Sequence, residues 1–152
     1  MTPEVEAALG AALDDPYYEV RAEAARSVAA LGARISEPGR RALVVRLAGR
    51  LTDAWLEVAA AAAETLGRVG DETTALPALL ALQSHRYWMV RSAGLRGLLS
   101  LVERGRAGDL ADLERQIRGF VLTATDFRPE FTIKTAYAHV LDAIARQRSQ
   151  GS

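Results

Sequence analysis

Acid–base or metal chemistry in this chain would have to begin at His85 or His139, the only two histidines. His139 has Asp142 three residues on, a spacing at which helical side chains meet and a proton can be shared. Neither histidine has a nucleophile or a third ligand at a fixed spacing, and no Gly-rich phosphate loop, HExxH or GxSxG pattern occurs. Cysteine is absent, which removes disulfides, thiolate catalysis and cysteine-based zinc sites. The expectation is a chain with no catalytic residue, no metal and no cofactor. Two other residue classes are clustered. Seven of the nine aromatic residues, Tyr17, Tyr18, Trp55, Tyr87, Trp88, Phe127 and Phe131, fall in four short groups. Large aromatics of this kind anchor protein interfaces. Of the 19 basic residues all but Lys134 are arginine, and Arg21, Arg91 and Lys134 each follow an aromatic group closely.

The elements that position these groups are set by an internal repeat. Leu13-Asp14-Asp15-Pro16-Tyr17-Tyr18-Glu19-Val20-Arg21 leads into an alanine-rich run ending at Leu31-Gly32. The same order returns at Leu51 to Ala59 and ends at Val69-Gly70, then again at Tyr87 to Arg91, and last at Glu130 to Lys134. Apolar residues recur as Val20/Val58/Val90/Ile133, Val28/Leu66/Leu98/Leu141 and Leu31/Val69/Leu101/Ile144. Within each copy they stand at i, i+8 and i+11, one face of a helix. A second amphipathic segment precedes each copy. The first runs roughly over 3–13 with Thr2 as N-cap and Pro3 at the first helical position. The second runs roughly over 38–51, the third follows Gly70-Asp71 with the aspartate as a cap, and the fourth starts after Asp109. On the fourth, Leu110, Leu113, Ile117, Phe120 and Val121 are expected on one side. No stretch alternates with period two, so no strand is predicted.

An isolated helical hairpin cannot bury both of its apolar faces, whereas stacked hairpins can. The sequence therefore predicts an all-α chain: a right-handed α-solenoid of about four antiparallel hairpins, at about 2–34, 36–70, 71–105 and 108–148, in one domain over 1–150. Alanines inside the second helices, such as Ala24, Ala25, Ala59 to Ala63, Ala136 and Ala138, let neighbours approach closely. The turns and core positions around Asp15-Pro16, Glu19-Val20-Arg21, Val69-Gly70-Asp71, Ala75-Leu76-Pro77 and Leu80 resemble HEAT repeats, the short bacterial type similar to those of phycobilin lyase subunits. The resemblance implies a hydrogen-bond ladder between repeats, an aspartate at each inter-helix turn with an arginine six residues later. Asp15 and Arg21 match that pattern. The second copy keeps Asp53 but has Ala59, the third keeps Arg91 but has His85, and the fourth has Asp126 and Lys134 two residues further apart.

The resemblance also implies a protein-interaction or scaffold module binding its partner on the concave face of the second helices. From the register that face carries Glu19, Glu23 and Arg26, then Glu57, Glu64 and Arg68, then Met89, Arg96 and Ser100, then Thr132 and His139. Tyr18, Leu56, Trp88 and Phe131 share one repeat position that is expected to pack. Tyr17, Trp55 and Tyr87 share another that is expected to be exposed. The candidate partner-binding residues are Tyr17, Trp55, Tyr87, Trp88, Glu19, Glu57, Met89 and Arg96. Two alternatives remain open, a bilin lyase-type subunit and a nucleic-acid-binding HEAT-like domain. Acidic and basic residues balance at 19 each, so no overall field favours nucleic acid or an anionic membrane. No apolar run approaches the ~18 residues of a membrane span, and the lack of cysteine fits a cytoplasmic protein. The first helix is expected to expose Ala7, Gly10 and Ala11, a small apolar surface unsuited to an end. The chain is thus expected to be the C-terminal part of a longer array or to self-associate through its N-terminal end.

Overall fold

A computed structural model describes residues 1–120 and 133–151. The described residues form eight α-helices and no strand: α1 Pro3–Ala12, α2 Tyr18–Leu31, α3 Glu37–Arg50, α4 Leu56–Val69, α5 Ala75–Ala81, α6 Trp88–Glu103, α7 Leu110–Arg118 and α8 Ile133–Gln150. Consecutive helices pair as four hairpins. The even-numbered helices stack in one layer, α2 on α4 on α6 on α8, and α1, α3 and α5 stack beside them. This is an α-solenoid.

The odd-numbered helices begin where side chains can take up free backbone N–H groups. Thr2 accepts from the Val5 N–H, with Pro3 at the first position. Ser36, which the sequence reading did not single out, caps α3 by accepting from Gly39, so α3 starts one residue before Pro38. Asp109 accepts from both Ala111 and Asp112 ahead of α7. Asp71 behaves differently from expectation. Its carboxylate accepts from Thr73 and Thr74 and orders a turn, and α5 begins only at Ala75.

The core follows the repeat. Val28, Leu66 and Leu98 are fully buried, as are Val58, Val90, Leu101 and Ile144, with Ile133 and Val69 close behind. Contact between α4 and α6 is close enough to need glycine on both sides. A Cβ on Gly67 would collide with the Gly97 backbone, and one on Gly97 would stand 2.6 Å from the Ala63 carbonyl oxygen. The α2–α4 contact instead carries a buried hydrogen bond, from the Thr65 hydroxyl to the Ala25 carbonyl at 2.9 Å. In the other layer Glu6 ties α1 to α3. It accepts from the Ser36 N–H at 2.6 Å and the Ser36 hydroxyl at 2.7 Å, and these two donors hold its carboxyl below the ordinary glutamate range.

Four expectations need correction. Val20 is 39% exposed, although its repeat equivalents Val58 and Val90 are fully buried, because among the described residues no hairpin packs ahead of it. Leu141 is only half-buried, and Val140 takes its place in the core. In α2, α4 and α6 the seventh position after the first core residue is Ser27, Thr65 or Gly97, so the eighth fills the core. In α8 the seventh is valine, and the helix turns accordingly. Gly10 is buried rather than exposed, since it faces α3 and lies 3.3 Å (measured to an ideal Cβ) from the Arg46 guanidine Nε. Ala7 and Ala11 are exposed as expected. Finally, α7 ends at Arg118, which leaves Phe120 beyond the helix. The expectations for Val121, Asp126, Phe127, Glu130, Phe131 and Thr132 fall outside the described residues.

Candidate protein-binding groove

Three turns lead into α2, α4 and α6, and each is built the same way. The side chain two residues ahead of the N-cap takes the N-cap N–H: Asp15 from Tyr17 at 2.8 Å, Asp53 from Trp55 at 3.0 Å, and His85, through Nδ1, from Tyr87 at 3.2 Å. His85 therefore stands in for the aspartate as a turn acceptor. In α2 and α6 an arginine in the first turn of the helix then reaches back to the turn. Arg21 donates to the Asp15 carbonyl and Arg91 to the His85 carbonyl, both at 2.8 Å.

Between the first two repeats the arginine also makes the rung of the ladder. Arg21 grips Asp53 with two donors, at 2.8 and 2.9 Å, and both side chains are largely buried. Burial alone would raise the Asp53 pKa. The Arg21 bond, the Trp55 N–H and the nearby Arg50 outweigh it and hold the carboxyl below the ordinary aspartate range. The next rung would need a donor at position 59 and a carboxylate at position 85. Position 59 is alanine and position 85 is histidine. These two departures from the pattern are the two ends of one missing rung. A different ion pair spans that step, Arg96 of α6 to Glu64 of α4 at 2.6 Å. Arg96 also donates to Ser92 at 2.7 Å.

This pair lies in a groove of about 510 Å³ that runs across α2, α4 and α6. Ala29, Ala60 and Ala61 form a shallow floor. Arg26, Glu57, Glu64 and Arg68 supply charges of both signs around it, and Met89 and Arg96 close it on the α6 side. Met89 is 37% exposed. Of the candidate partner-binding residues the structure brings Glu57, Met89 and Arg96 together here. The alanine floor was missed in the sequence, although Glu57, Ala60, Ala61, Glu64 and Arg68 already lie at helical spacing.

The remaining candidates, Glu19, Trp88 and the three N-cap aromatics, lie outside the groove, with the aromatics at the turn edge. Tyr17 is 70% exposed, Trp55 49% and Tyr87 40%, while Tyr18 and Trp88 are half-buried. Tyr18 does not simply plug its turn. Its ring stacks on Trp55 of the next repeat, with centroids 4.0 Å apart and planes within 10°. The Glu19 and Glu57 carboxylates, together with burial, push the Tyr18 hydroxyl up. Tyr87 carries the Arg86 guanidinium 4.5 Å above its ring. Trp55 borders a second depression, about 470 Å³, with Asp14, Pro16 and Arg50. His139 borders a third, about 310 Å³, beside Arg96 and Leu99. Among the described residues no group of three or more acidic, histidine or cysteine side chains is placed to hold a metal ion.

The convex arginines of α3 are matched by carboxylates: Arg40 and Arg41 by Glu37, Arg46 by Asp14, and Arg50 by Asp14 and Asp53. No helix among the described residues is long and apolar enough to cross a membrane.

A family model for HEAT repeats matches residues 3–99. The chain belongs to the HEAT-repeat family. The matched span holds the first three HEAT hairpins up to most of α6, and with them the Arg21–Asp53 rung, the three aromatic turns and the whole groove. No curated protein and no solved structure matches the chain. HEAT repeats as a family generally mediate protein interaction or scaffolding.

Proposed function

We propose that this HEAT-repeat chain is a non-catalytic protein-binding module, and that its partner lies in the α2–α4–α6 groove and overlaps the aromatic edge. The observation that carries the reading is the shape and chemistry of that surface. A floor of alanine methyls is bordered by Arg26, Arg68, Glu57 and the Arg96–Glu64 pair, with exposed Met89 at one side and exposed Trp55 and Tyr87 at the helix starts. Such a surface suits a helix or extended segment of another protein that brings small apolar side chains and a few charges of both signs. Aromatic anchors at the edge supply large contact area for little loss of side-chain freedom.

Affinity capture from the native host lysate tests this. The wild-type chain is run beside a Trp55→Ala, Tyr87→Ala double variant and an Ala61→Trp variant that fills the groove. A protein retained by the wild type and lost from both folded variants supports the reading. Equal capture by all three moves the partner to another surface and removes the proposal. The matched charges on α3 argue against nucleic acid, whose binding needs unpaired cations along the surface. A gel shift that weakens steeply with salt would revive that alternative, and a spectral shift on mixing with a bilin would revive the lyase-type one.

A further inference from the structure

Three arginines converge where α4 and α6 end. Helix α6 finishes in a Schellman motif, with Gly105 at a φ of +64°. The Gly105 N–H reaches the Val102 carbonyl at 3.0 Å, and the Arg106 N–H reaches the Leu101 carbonyl at 2.9 Å. The left-handed glycine turns the chain sharply, and Arg104 and Arg106, on either side of it, line one cavity of about 120 Å³. Arg40 of α3 lines the same cavity, with Glu37 and Asp71.

The carboxylates of this wall do not balance its cations. Arg104 donates through Nη1 to the Gly67 and Gly70 carbonyls, which are neutral, and pairs with no carboxylate among the described residues. Arg106 is exposed and makes no hydrogen bond or ion pair among the described residues. Arg40 pairs with Glu37 at 3.4 Å, but Glu37 also serves Arg41 at 3.6 Å. The buried Nε of Arg40 has no hydrogen-bond partner. Asp71 holds the Thr73 and Thr74 N–H groups with Oδ1. Partial burial pushes Arg104 below the ordinary arginine range, and the like charges of Arg106 and Arg40 push it further. Like charges gathered in a folded chain are destabilising until a counter-charge joins them, and such local conflicts mark functional sites. A single guanidinium fork satisfies a flat carboxylate, whereas several forks suit a tetrahedral oxyanion with an acceptor for each. The cavity is well below the roughly 300–1,000 Å³ of sites for larger ligands, so it takes a phosphoryl group alone.

We propose that this cavity is an oxyanion site, in which Arg40, Arg104 and Arg106 bind inorganic phosphate or the terminal phosphate of a small phosphomonoester. It shares no lining residue with the α2–α4–α6 groove and is independent of what the groove binds.

Isothermal titration calorimetry and thermal melts test it, with phosphate set against chloride at equal ionic strength. The wild type is expected to bind phosphate with saturable heat and to melt higher in phosphate than in chloride. Arg106→Ala, an exposed change, should weaken that binding by about tenfold or more. In chloride the same variant should melt no lower than wild type, because it removes a charge that repels Arg104. Arg146→Ala takes an equal charge from α8 and should bind phosphate as the wild type does. Asp71→Asn keeps the acceptor for the turn and removes a negative charge from the wall, so it should tighten binding several-fold. Glycerol phosphate separates the two sources: tighter binding than phosphate assigns the site to a phosphomonoester, and weaker binding assigns it to free phosphate. A rise in Tm of equal size in wild type and Arg106→Ala would be the general stabilising effect of phosphate salts and would overturn the proposal. So would a wild type that gives no saturable heat anywhere in the millimolar range.

Discussion

The Arg21–Asp53 rung is the contact whose removal should tell most about what holds successive HEAT hairpins in register. Replacing Asp53 by alanine leaves the Arg21 guanidinium, with only 11% of its side chain exposed, without its carboxylate. Removing one partner of a buried ion pair costs about 3–5 kcal/mol, because the other charge stays desolvated. Arg21 keeps the Asp15 and Pro16 carbonyls as acceptors and lies beside a shallow depression, so the lower part of that range applies, about 3 kcal/mol. Loss of the bond to the Trp55 N–H adds up to about 1 kcal/mol. For a chain of this size each kcal/mol lowers Tm by about 2–4 °C, so a fall of about 6–16 °C is expected.

Urea denaturation of wild type, Asp53→Ala, Arg21→Met and the double variant closes the cycle. Arg21→Met should cost less, because Asp53 retains the Trp55 N–H and a neighbour in Arg50 at 3.6 Å. The double variant should recover part of the single loss, since neither charge is then stranded. A coupling energy below about 0.5 kcal/mol would refute the reasoning. The pH dependence gives a second reading of the same bond. The Asp53 pKa is lower folded than unfolded, so the carboxylate contributes stability that is fully present above the unfolded value of about 3.9 and is lost as pH falls through the folded value. The stability gap between wild type and Asp53→Asn should therefore shrink below about pH 4 and stay constant from there to neutrality.

Gly97→Ala should lower stability by more than about 2 kcal/mol, because the new methyl meets the Ala63 carbonyl at 2.6 Å and forces α4 and α6 apart; chemical denaturation reads it. Thr65→Val should cost about 1 kcal/mol, since only the bond to the Ala25 carbonyl is lost and that carbonyl lies within α2; the same assay applies. Arg104→Ala should cost about 1–2 kcal/mol by stripping the Gly67 and Gly70 carbonyls at the end of α4 of their shared donor, and the melting temperature reports it. Val58→Ala should cost about 2 kcal/mol and Val20→Ala less than about 0.5, although the two are repeat equivalents, because only Val58 is buried in an isolated chain.

Much of the fold was legible because periodicity depends on residue type alone. The i, i+8, i+11 pattern located α2, α4 and α6, and Thr2, Pro3 and Asp109 marked two helix starts within a residue. The corrections came where position in the stack decides burial. Val20 and Val58 are the same residue, each following a glutamate at the same repeat position, and a neighbouring hairpin separates 39% exposure from none. Likewise the helical pattern allows Leu141 or Val140 as the core residue of α8, and packing against α6 selects Val140. The groove was half legible. Its charged rim was visible in the register, but alanines spaced for close packing and alanines forming a floor look identical in sequence. Arg96–Glu64 crosses 32 residues, a separation no local pattern encodes.

The aromatic turns break a local rule, and the way they do so argues for a role outside folding. A helix N-cap is normally Ser, Thr, Asp or Asn, whose side chain accepts a first-turn N–H, and lacking it costs about 1 kcal/mol. Tyr17, Trp55 and Tyr87 occupy the N-cap of α2, α4 and α6, and none makes such a bond. The turn does not need an aromatic there, since Asp15, Asp53 and His85 fix it through the backbone N–H of the cap residue, which any residue but proline supplies. Core packing does not need it either, with 40–70% of each residue exposed. For Trp55 the stack with Tyr18 accounts for part of the cost, an aromatic pair contributing about 0.5–1.5 kcal/mol. Tyr17 has no such ring, and Tyr87 has only the tilted His85 ring at 5.8 Å and an exposed arginine. Substituting serine at Tyr17 and Tyr87 should therefore leave the chain as stable or more stable, by up to about 1 kcal/mol each, while weakening capture of the partner. Loss of stability on both substitutions would mean that the rings serve the fold after all, and the edge would lose its claim as an anchor strip.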